Sequence, residues 1–294
     1  MKHFSHVLSA IDFSDMSLSA LDRAGMIAKD KQAELVLFHG MNATLFKSWP
    51  RGFDPLIPAL DQSIKSELLK KLSDLASQQR TKGAPATSIA LAESSDVSAL
   101  VNEVKSRGVD LVVAGAHGSG YWHELFLGSF ISKLIAHNSV PTLIVKTTKH
   151  TPYSNVLIPV DFSNATNVLI KQAQLIAPSA QKVLLHVVNT PHEGMMRLRN
   201  ASQDQLRDYR KRCVEEAQSK LDALIAANQD GKTSGKVVEN GYPPGEIISC
   251  QKEHQHDLVV IGKHGTDYMS DLLVGSVTKL VMSHVSSDTL VVVG

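Results

Sequence analysis

Residues 115–129 read GAHGSGYWHELFLGS, and residues 262–276 read GKHGTDYMSDLLVGS. Both stretches have the spacing G-2x-G-9x-G-S, and the second begins 147 residues after the first. Each follows a β-branched run, DLVVAG or DLVVIG, and each precedes a helix-like segment, FISKLIAH or VTKLVMSH. A strand, a glycine-rich loop and a helix in this order are typical of α/β domains. The sequence therefore predicts the same α/β unit twice.

The repeat extends beyond these stretches. Residues 6–14, HVLSAIDFS, match residues 155–163, NVLIPVDFS. The chain has 294 residues, close to twice the common domain size of about 100 to 150 residues. Residues 146–154, KTTKHTPYS, are polar and aperiodic, as expected of a linker. We therefore predict two domains, residues 1–148 and 152–294.

The composition is that of a globular protein. Apolar residues make up 43% of the chain and charged residues 20%, and the formal net charge is +1. Neither a basic stripe nor an apolar run of about 18 residues is present, so we expect neither nucleic-acid nor membrane binding. The N-terminus lacks the pattern of a signal peptide, and the two cysteines, Cys213 and Cys250, indicate a reducing compartment. The cytoplasm is the expected location.

Each half contains five short apolar runs. The predicted strands are residues 6–11, 34–39, 87–91, 110–115 and 142–146 in the first half, and 155–160, 182–188, 236–239, 257–262 and 289–293 in the second. Runs that are almost continuously apolar indicate strands covered by helices on both faces. Helical periodicity follows Ser14, a predicted N-cap, and Ser163 in the second half. Two long helices are predicted over residues 60–79 and 204–228.

The glycine pattern predicts a phosphate-binding site. Glycine at a strand end lets the backbone approach a ligand. Gly128 and Gly275 open helices whose free N–H groups suit an anion. Asp12 and Asp161 follow the first strand of each half, at the sheet edge where open α/β sheets bind ligands. A carboxylate there accepts hydrogen bonds from a ribose or adenine, or helps to hold a divalent cation.

The strand-end Asp, a second strand ending in His39 or His186, and the glycine spacing together resemble the universal stress protein family over nearly the whole chain. The resemblance implies two tandem, open-twisted, five-stranded parallel sheets in the order 3-2-1-4-5, with helices on both faces. This is an adenine nucleotide alpha hydrolase-like α/β fold. We expect His39 and His186 to satisfy hydrogen bonds at their strand ends.

Family members with the complete glycine pattern bind ATP, so the resemblance implies ATP, with or without Mg²⁺, at the matching positions. In the second half these are Pro159, Asp161, Val187, Gly262, His264, Gly265, Gly275, Ser276 and Val277. In the first half they are Asp12, Gly40, Gly115, Gly118, Gly128, Ser129 and Phe130. The first half departs from the family pattern at Ala10, where a proline is usual, and at Gly40, which replaces an apolar wall residue. His264 and its counterpart His117 are either phosphate contacts or ordinary loop histidines.

Other nucleotide and metal motifs fit poorly. Residues 231–233, GKT, lack the upstream glycine of a Walker A loop, because Ala226 stands there. A G-x-G-x-x-G pattern after the first strand is absent, so NAD is not expected. Cys250, His254 and His256 lack a fourth ligand nearby, so we expect a solvated helix face rather than a metal site. No group that positions a nucleophile is evident, so any ATP hydrolysis is expected to be slow.

We therefore expect a regulatory stress-response protein that binds an adenine nucleotide rather than an enzyme. Nucleotide occupancy would modulate its contacts with unidentified protein partners, because a ligand shifts an equilibrium by its differential affinity for two states. The two domains are expected to pair within the chain, and the sequence does not decide whether the protein forms a homodimer. Two alternatives also stay open. One is a slow ATPase or nucleotide-dependent enzyme of the same fold, and the other is binding of a lipid or metabolite near Trp49, Phe53 and Met195.

Overall fold

The computed structural model describes most of the chain. The described residues are 4–41, 56–117, 128–148, 150–190, 192–228, 231–239, 241–264 and 273–293. They form two compact units, Met1–His150 and Thr151–Gly294. Each unit alternates strands and helices along the chain.

The first unit contains five parallel strands. Its elements are β1 (His6–Ala10), α1 (Asp15–Lys31), β2 (Glu34–Gly40), α2 (Leu56–Thr81), β3 (Ala86–Ala92), α3 (Val97–Arg107), β4 (Leu111–Gly115), α4 (Ser129–His137) and β5 (Thr142–Val145). The strands pair in the order β3-β2-β1-β4-β5, so β1 and β4 are neighbours at the centre. The carboxyl ends of all five strands therefore lie at one edge.

The second unit repeats this arrangement. Its elements are β6 (Asn155–Pro159), α5 (Thr166–Ile176), β7 (Gln181–Val187), α6 (Glu193–Leu198), α7 (Gln203–Asn228), β8 (Thr233–Val238), α8 (Pro243–Glu253), β9 (Leu258–Gly262), α9 (Ser276–His284) and β10 (Asp288–Val292). Parallel pairing gives the order β8-β7-β6-β9-β10. The α/β class and the parallel pairing are confirmed, whereas the division into two separate sheets stays a prediction.

The central strands are covered on both faces. In β4 the consecutive residues Leu111, Val112 and Val113 are all fully buried. Because successive residues of a strand point to opposite faces, this burial requires packing on both sides. Each such side chain contributes roughly 1.5–3 kcal/mol to stability. Within the described ranges, no helix combines the length and apolar character needed to cross a membrane.

The helices that follow β1 and β6 begin differently. Ser14 caps α1 as predicted, because its Oγ accepts a hydrogen bond from the N–H of Ser17 at 3.2 Å. The matching helix α5 begins only at Thr166 and has no side-chain cap hydrogen bond. There the main-chain oxygen of Ser163 accepts a hydrogen bond from the N–H of Thr166 at 3.0 Å. A turn therefore replaces the first helical turn in the second unit.

Strand β8 is longer than the sequence predicted. It covers Thr233–Val238, whereas the apolar run indicated residues 236–239. Its first half is polar and contains Gly235, a composition that disfavours strands. A Cβ at residue 235 would lie 2.6 Å from Cδ2 of Leu221 in α7, so close helix packing explains the glycine. Parallel pairing with β7 holds the whole segment extended.

Candidate functional site

The turn after the first strand has the same unusual geometry in both units. Phe13 has φ 63° and Phe162 has φ 59°, in the left-handed region that a bulky residue rarely adopts. The N–H of Ser14 donates to Oδ1 of Asp12 at 3.0 Å, and the N–H of Ser163 donates to the matching Asp161 oxygen at 3.0 Å. Strain that recurs at equivalent strand ends is typical of a binding or catalytic site.

A histidine at the end of the second strand supports each turn. Nδ1 of His39 lies 2.7 Å from the main-chain oxygen of Ile11, and Nδ1 of His186 lies 2.8 Å from that of Val160. A carbonyl oxygen only accepts, so Nδ1 of each histidine carries the proton. The expected strand-end hydrogen bonds are confirmed. Burial lowers the pKa of His186, while its hydrogen bond to Val160 raises it by a smaller amount.

The first glycine of each repeat has a packing role in addition to the one predicted. A Cβ at Gly115 would lie 2.8 Å from the carbonyl carbon of Met16, in the first turn of α1. The equivalent Cβ at Gly262 would lie 3.0 Å from the main-chain oxygen of His264, within its own loop. Gly115 is therefore required by helix packing even in the absence of a ligand, and the motif alone did not reveal this.

The glycines that open α4 and α9 have more room. A Cβ at Gly128 would meet only the main-chain oxygen of Ala116, at 3.7 Å, and a Cβ at Gly275 would lie 3.4 Å from that of Lys263. Neither helix has a side-chain cap hydrogen bond. The first N–H groups of an α-helix have no acceptor inside the helix. Both helix starts are therefore suited to an anion.

A cavity of about 240 Å³ lies at the carboxyl edge of the first unit. Of the predicted residues, it is lined by Asp12, Gly40, Gly115, Gly128 and Phe130. His117 and Ser95 also line it, although the sequence analysis did not select Ser95. Ser95 follows β3, where no glycine or charged motif marks a site. Only the fold brings this loop next to the ends of β1 and β2.

The remaining first-unit predictions have different outcomes. Ser129 is exposed at the start of α4 and is not among the residues that line the cavity. Gly118, Trp49 and Phe53 lie outside the described residues, so those predictions stay predictions. In the second unit, Gly265 also lies outside the described residues.

The other predicted second-unit residues lie at one sheet edge. Pro159 ends β6 with Asp161 two residues beyond, Val187 ends β7, and Gly262 ends β9 with His264 two residues beyond. Because β6 pairs with both β7 and β9, these ends are neighbours. Gly275, Ser276 and Val277 begin α9, and the hydroxyl of Thr278 donates to the main-chain oxygen of Gly262 at 2.7 Å. The first turn of α9 is thereby fixed to β9.

The sequence profile of the universal stress protein family matches residues 3–146 and again residues 152–293. The chain belongs to the universal stress protein family. Two matches in one chain make it a tandem member, with one family domain in each unit.

Individual relatives support this membership. The chain is 35% identical to universal stress protein YxiE of Bacillus subtilis over 148 residues, which cover 49% of this chain and 99% of the relative. It is 24% identical to universal stress protein MJ0577 of Methanocaldococcus jannaschii over 153 residues, 48% of this chain and 94% of the relative. A solved universal stress protein from Archaeoglobus fulgidus matches 98% of this chain and 95% of its own, with a TM-score of 0.63 and 16% identity. That structure supports the fold alone.

The cysteine and histidine cluster of this universal stress protein differs from the prediction. The sequence indicated a solvated helix face, but Cys250 and His256 are 3% and 4% exposed. His254 is exposed as predicted, but the prediction was wrong for the other two residues, because Cys250 lies on the buried face of α8 beside Ile247. Nδ1 of His256 lies 3.2 Å from the main-chain oxygen of Cys250. Burial raises the pKa of the Cys250 thiol and lowers that of His256. Across the described part of the chain, no three His, Cys, Asp or Glu side chains are grouped for a metal ion.

Proposed function

We propose that this universal stress protein binds an adenine nucleotide in each unit, as ATP with or without Mg²⁺, and that occupancy regulates its contacts with protein partners. The cavity in the first unit carries the proposal. It joins three segments that are far apart in sequence, represented by Asp12 after β1, Gly40 at the end of β2, and Gly128 at the start of α4.

We place the phosphates at the start of α4. Gly128 lines the cavity, and the helix that it opens has no side-chain cap. An anion at that point would accept hydrogen bonds from the first N–H groups and would gain from the positive end of the helix dipole. Because a Cβ at Gly128 would meet nothing closer than 3.7 Å, fold packing alone does not demand glycine there. In this proposal glycine is required at residue 128 because a phosphate approaches the backbone there.

We place the ribose and the base beside the turn that follows β1. The exposed carboxylate of Asp12 lines the cavity, and Ser14 holds its Oδ1 with both N–H and hydroxyl, the latter at 2.5 Å. The cavity volume of about 240 Å³ is just below the range of about 300–1,000 Å³ of complete ligand pockets. A base and ribose inside, with phosphates extending along α4, would match that size.

The proposed role is binding and regulation in the cytoplasm, with ATP hydrolysis slow at most. In this proposal the two units pair with each other within the chain, and each has its own nucleotide site. Occupancy acts on partners only through a difference in affinity between two states of the protein. Light scattering of the apo and ATP-loaded protein would show whether a homodimer forms.

The site is tested by calorimetric titration of ATP, with and without Mg²⁺, into the wild type and two variants. Gly128→Val adds a side chain to the first site and Gly275→Val adds one to the second. We expect each variant to lower the stoichiometry from two nucleotides to one, and the double variant to bind none. Gly194→Val is the matched control, because a Cβ there would meet nothing within 4 Å.

Two outcomes would overturn the proposal. One is a wild-type protein that binds no adenine nucleotide at millimolar concentration. The other is a folded double variant that binds ATP as tightly as the wild type. Gly115→Val is unsuitable for this test, because its clash with Met16 would disturb the fold directly.

A further inference from the structure

Helix α6 adds nothing to the core of the second unit. None of its residues is buried. Met195 is 57% exposed and Leu198 is 85% exposed, and the two lie three residues apart, on the same face of the helix. Apolar side chains stabilise a fold only when they are removed from water. Packing into the core therefore does not explain why this helix forms.

Polar contacts hold α6 in place instead. The carboxylate of Glu193 accepts hydrogen bonds from Nη2 of Arg197 at 2.7 Å and from Nε of Arg210, on α7, at 2.9 Å. The start of α7 is fixed by a capping box, in which the N–H of Ser202 donates to Oε1 of Gln205 at 2.8 Å, and the N–H of Gln205 donates to Oγ of Ser202 at 3.2 Å. Residues 192–213, here called the α6–α7 segment, are thus preorganised while Met195 and Leu198 face solvent.

The α6–α7 segment is also basic. It contains six Lys or Arg and three Asp or Glu, a formal net charge of +3 in a chain whose net charge is +1. Arg199 directly follows Leu198, is exposed, and forms no ion pair with a described residue. Methionine and arginine are enriched in protein–protein interfaces relative to the rest of the surface. The surface therefore combines apolar anchors with an available positive charge.

The charge of the α6–α7 segment decides which occupant fits it. A symmetric dimer through this surface would bring two basic segments together, and like charges across an interface are unfavourable. A membrane would receive only Met195 and Leu198 from α6, and membrane attachment scales with the buried apolar area. An acidic protein segment with apolar side chains matches both the charge and the anchors.

We infer that the α6–α7 segment is a docking surface for an acidic, amphipathic segment of a partner protein. Met195 and Leu198 contact the apolar side chains of the partner, and Arg199 pairs with one of its carboxylates. The inference rests on the proposed function for its regulatory meaning, because α6 follows the end of β7 at the second candidate site. Docking itself requires no nucleotide.

The test measures the binding of labelled synthetic peptides to the full chain by fluorescence anisotropy. The probe is an amphipathic helical peptide with leucine on one face and glutamate on the other, and the control peptide has lysine in place of each glutamate. We expect the lysine peptide to bind about tenfold more weakly, because its charge matches that of the surface. Leu198→Ser should weaken the glutamate peptide about tenfold, the usual effect of exposing one leucine side chain. Arg199→Glu should weaken it about tenfold as well, because a charged pair is replaced by repulsion.

Each variant has a matched control in the first unit. Leu69→Ser changes an exposed leucine of α2. Lys105→Glu reverses an exposed charge of α3, so it alters the net charge of the protein as Arg199→Glu does. Both control variants should bind the glutamate peptide as the wild type does. Circular dichroism verifies that every variant is folded.

Three results would overturn the docking surface. The first is a wild type that does not bind the glutamate peptide at millimolar concentration. The second is peptide binding that neither Leu198→Ser nor Arg199→Glu weakens. The third is a different occupant of the same surface, seen as a dimer in light scattering that Leu198→Ser dissociates, or as binding to phosphatidylglycerol vesicles that Leu198→Ser abolishes.

Repeating the peptide titration with ATP separates this inference from the proposed function. We expect ATP to change the peptide affinity of the wild type but not that of Gly275→Val. A protein that binds the peptide through Leu198 and Arg199 but binds no nucleotide would overturn the proposed function and leave the docking surface intact. Unchanged peptide affinity in an ATP-loaded wild type would overturn only the regulatory part of the proposed function.

Discussion

Nδ1 of His186 lies 2.8 Å from the main-chain oxygen of Val160, so the end of β7 is hydrogen-bonded to the residue that precedes Asp161. The Phe162 ring packs against the same imidazole, with 4.3 Å between ring centroids. The first unit repeats the arrangement with His39, Ile11 and Phe13. The strained turn of each candidate site therefore depends on a histidine from the neighbouring strand.

We expect the stability of the protein to depend on pH because of His186. Burial holds the pKa of His186 below its ordinary value of 6.5 in the folded protein, despite the opposing effects of Val160 and Asp161. Folding therefore favours the neutral form of His186. Its contribution to the free energy of unfolding is complete above the unfolded pKa of about 6.5, and it is lost as the pH falls below that value. Urea unfolding at pH 8 and pH 5.5 should show lower stability at the acidic pH. His186→Asn should reduce that difference, since an amide does not titrate.

His256 must be included in the same measurement, because burial lowers its pKa as well. His256→Asn should remove a further part of the acid loss. If the loss between pH 8 and pH 5.5 is unchanged in the double variant, the assignment to these two histidines is wrong.

Gly115→Ala should destabilise the first unit by about 1–3 kcal/mol, the usual cost of overpacking. The added methyl would lie 2.8 Å from the carbonyl carbon of Met16, and backbone yields less readily than a side chain. Thermal unfolding followed by circular dichroism measures the effect. Gly194→Ala, whose methyl would point into open space, should not lower the melting temperature, because alanine favours the helix more than glycine does. Equal melting temperatures for the two variants would contradict the close approach of α1.

Ser14→Ala should cost about 1 kcal/mol, because α1 loses its N-cap. The equivalent change, Ser163→Ala, should cost less, since α5 begins at Thr166 and does not use that hydroxyl as a cap. Denaturant unfolding of the two variants gives the comparison directly. A larger loss for Ser163→Ala would refute the different helix starts.

We expect the attachment of α6 to α7 to be lost in acid, because it depends on the carboxylate of Glu193. Hydrogen bonds from Arg210 and Arg197 lower the pKa of its carboxyl to about 2. The attachment of α6 to α7 is therefore complete above pH 4.5, the ordinary glutamate value, and is lost as pH falls toward 2. At pH 7, Glu193→Gln should accelerate tryptic cleavage after Arg197. The control is Glu216→Gln, which breaks only the exposed pair with Lys220 on α7. Similar cleavage rates for the two variants would show that Glu193 does not hold α6.

Local patterns predicted the strands and the long helices but not every element, since α6 (Glu193–Leu198) lies where no helix was predicted. Apolar runs located each strand in the described part of the chain, because buried strands must be apolar wherever they occur. They placed β8 too late, because Gly235 and its polar neighbours carry no strand signal and become extended only through pairing with β7. The burial of Cys250 and His256 was likewise missed, since charged neighbours such as Lys252 and Glu253 indicated an exposed segment, although Cys250 lies on the same buried helix face as Ile247.

The sequence by itself determined the tandem repeat, the α/β class, the strand-end Asp12 and Asp161, and the glycine spacing, because these depend on residue types at short separations. Tertiary structure alone decided that Gly115 makes room for α1, and that Ser95 meets Gly40 at the cavity. These contacts join segments that are distant in the chain. Their distances follow from how strands pair and helices pack, which no local pattern specifies.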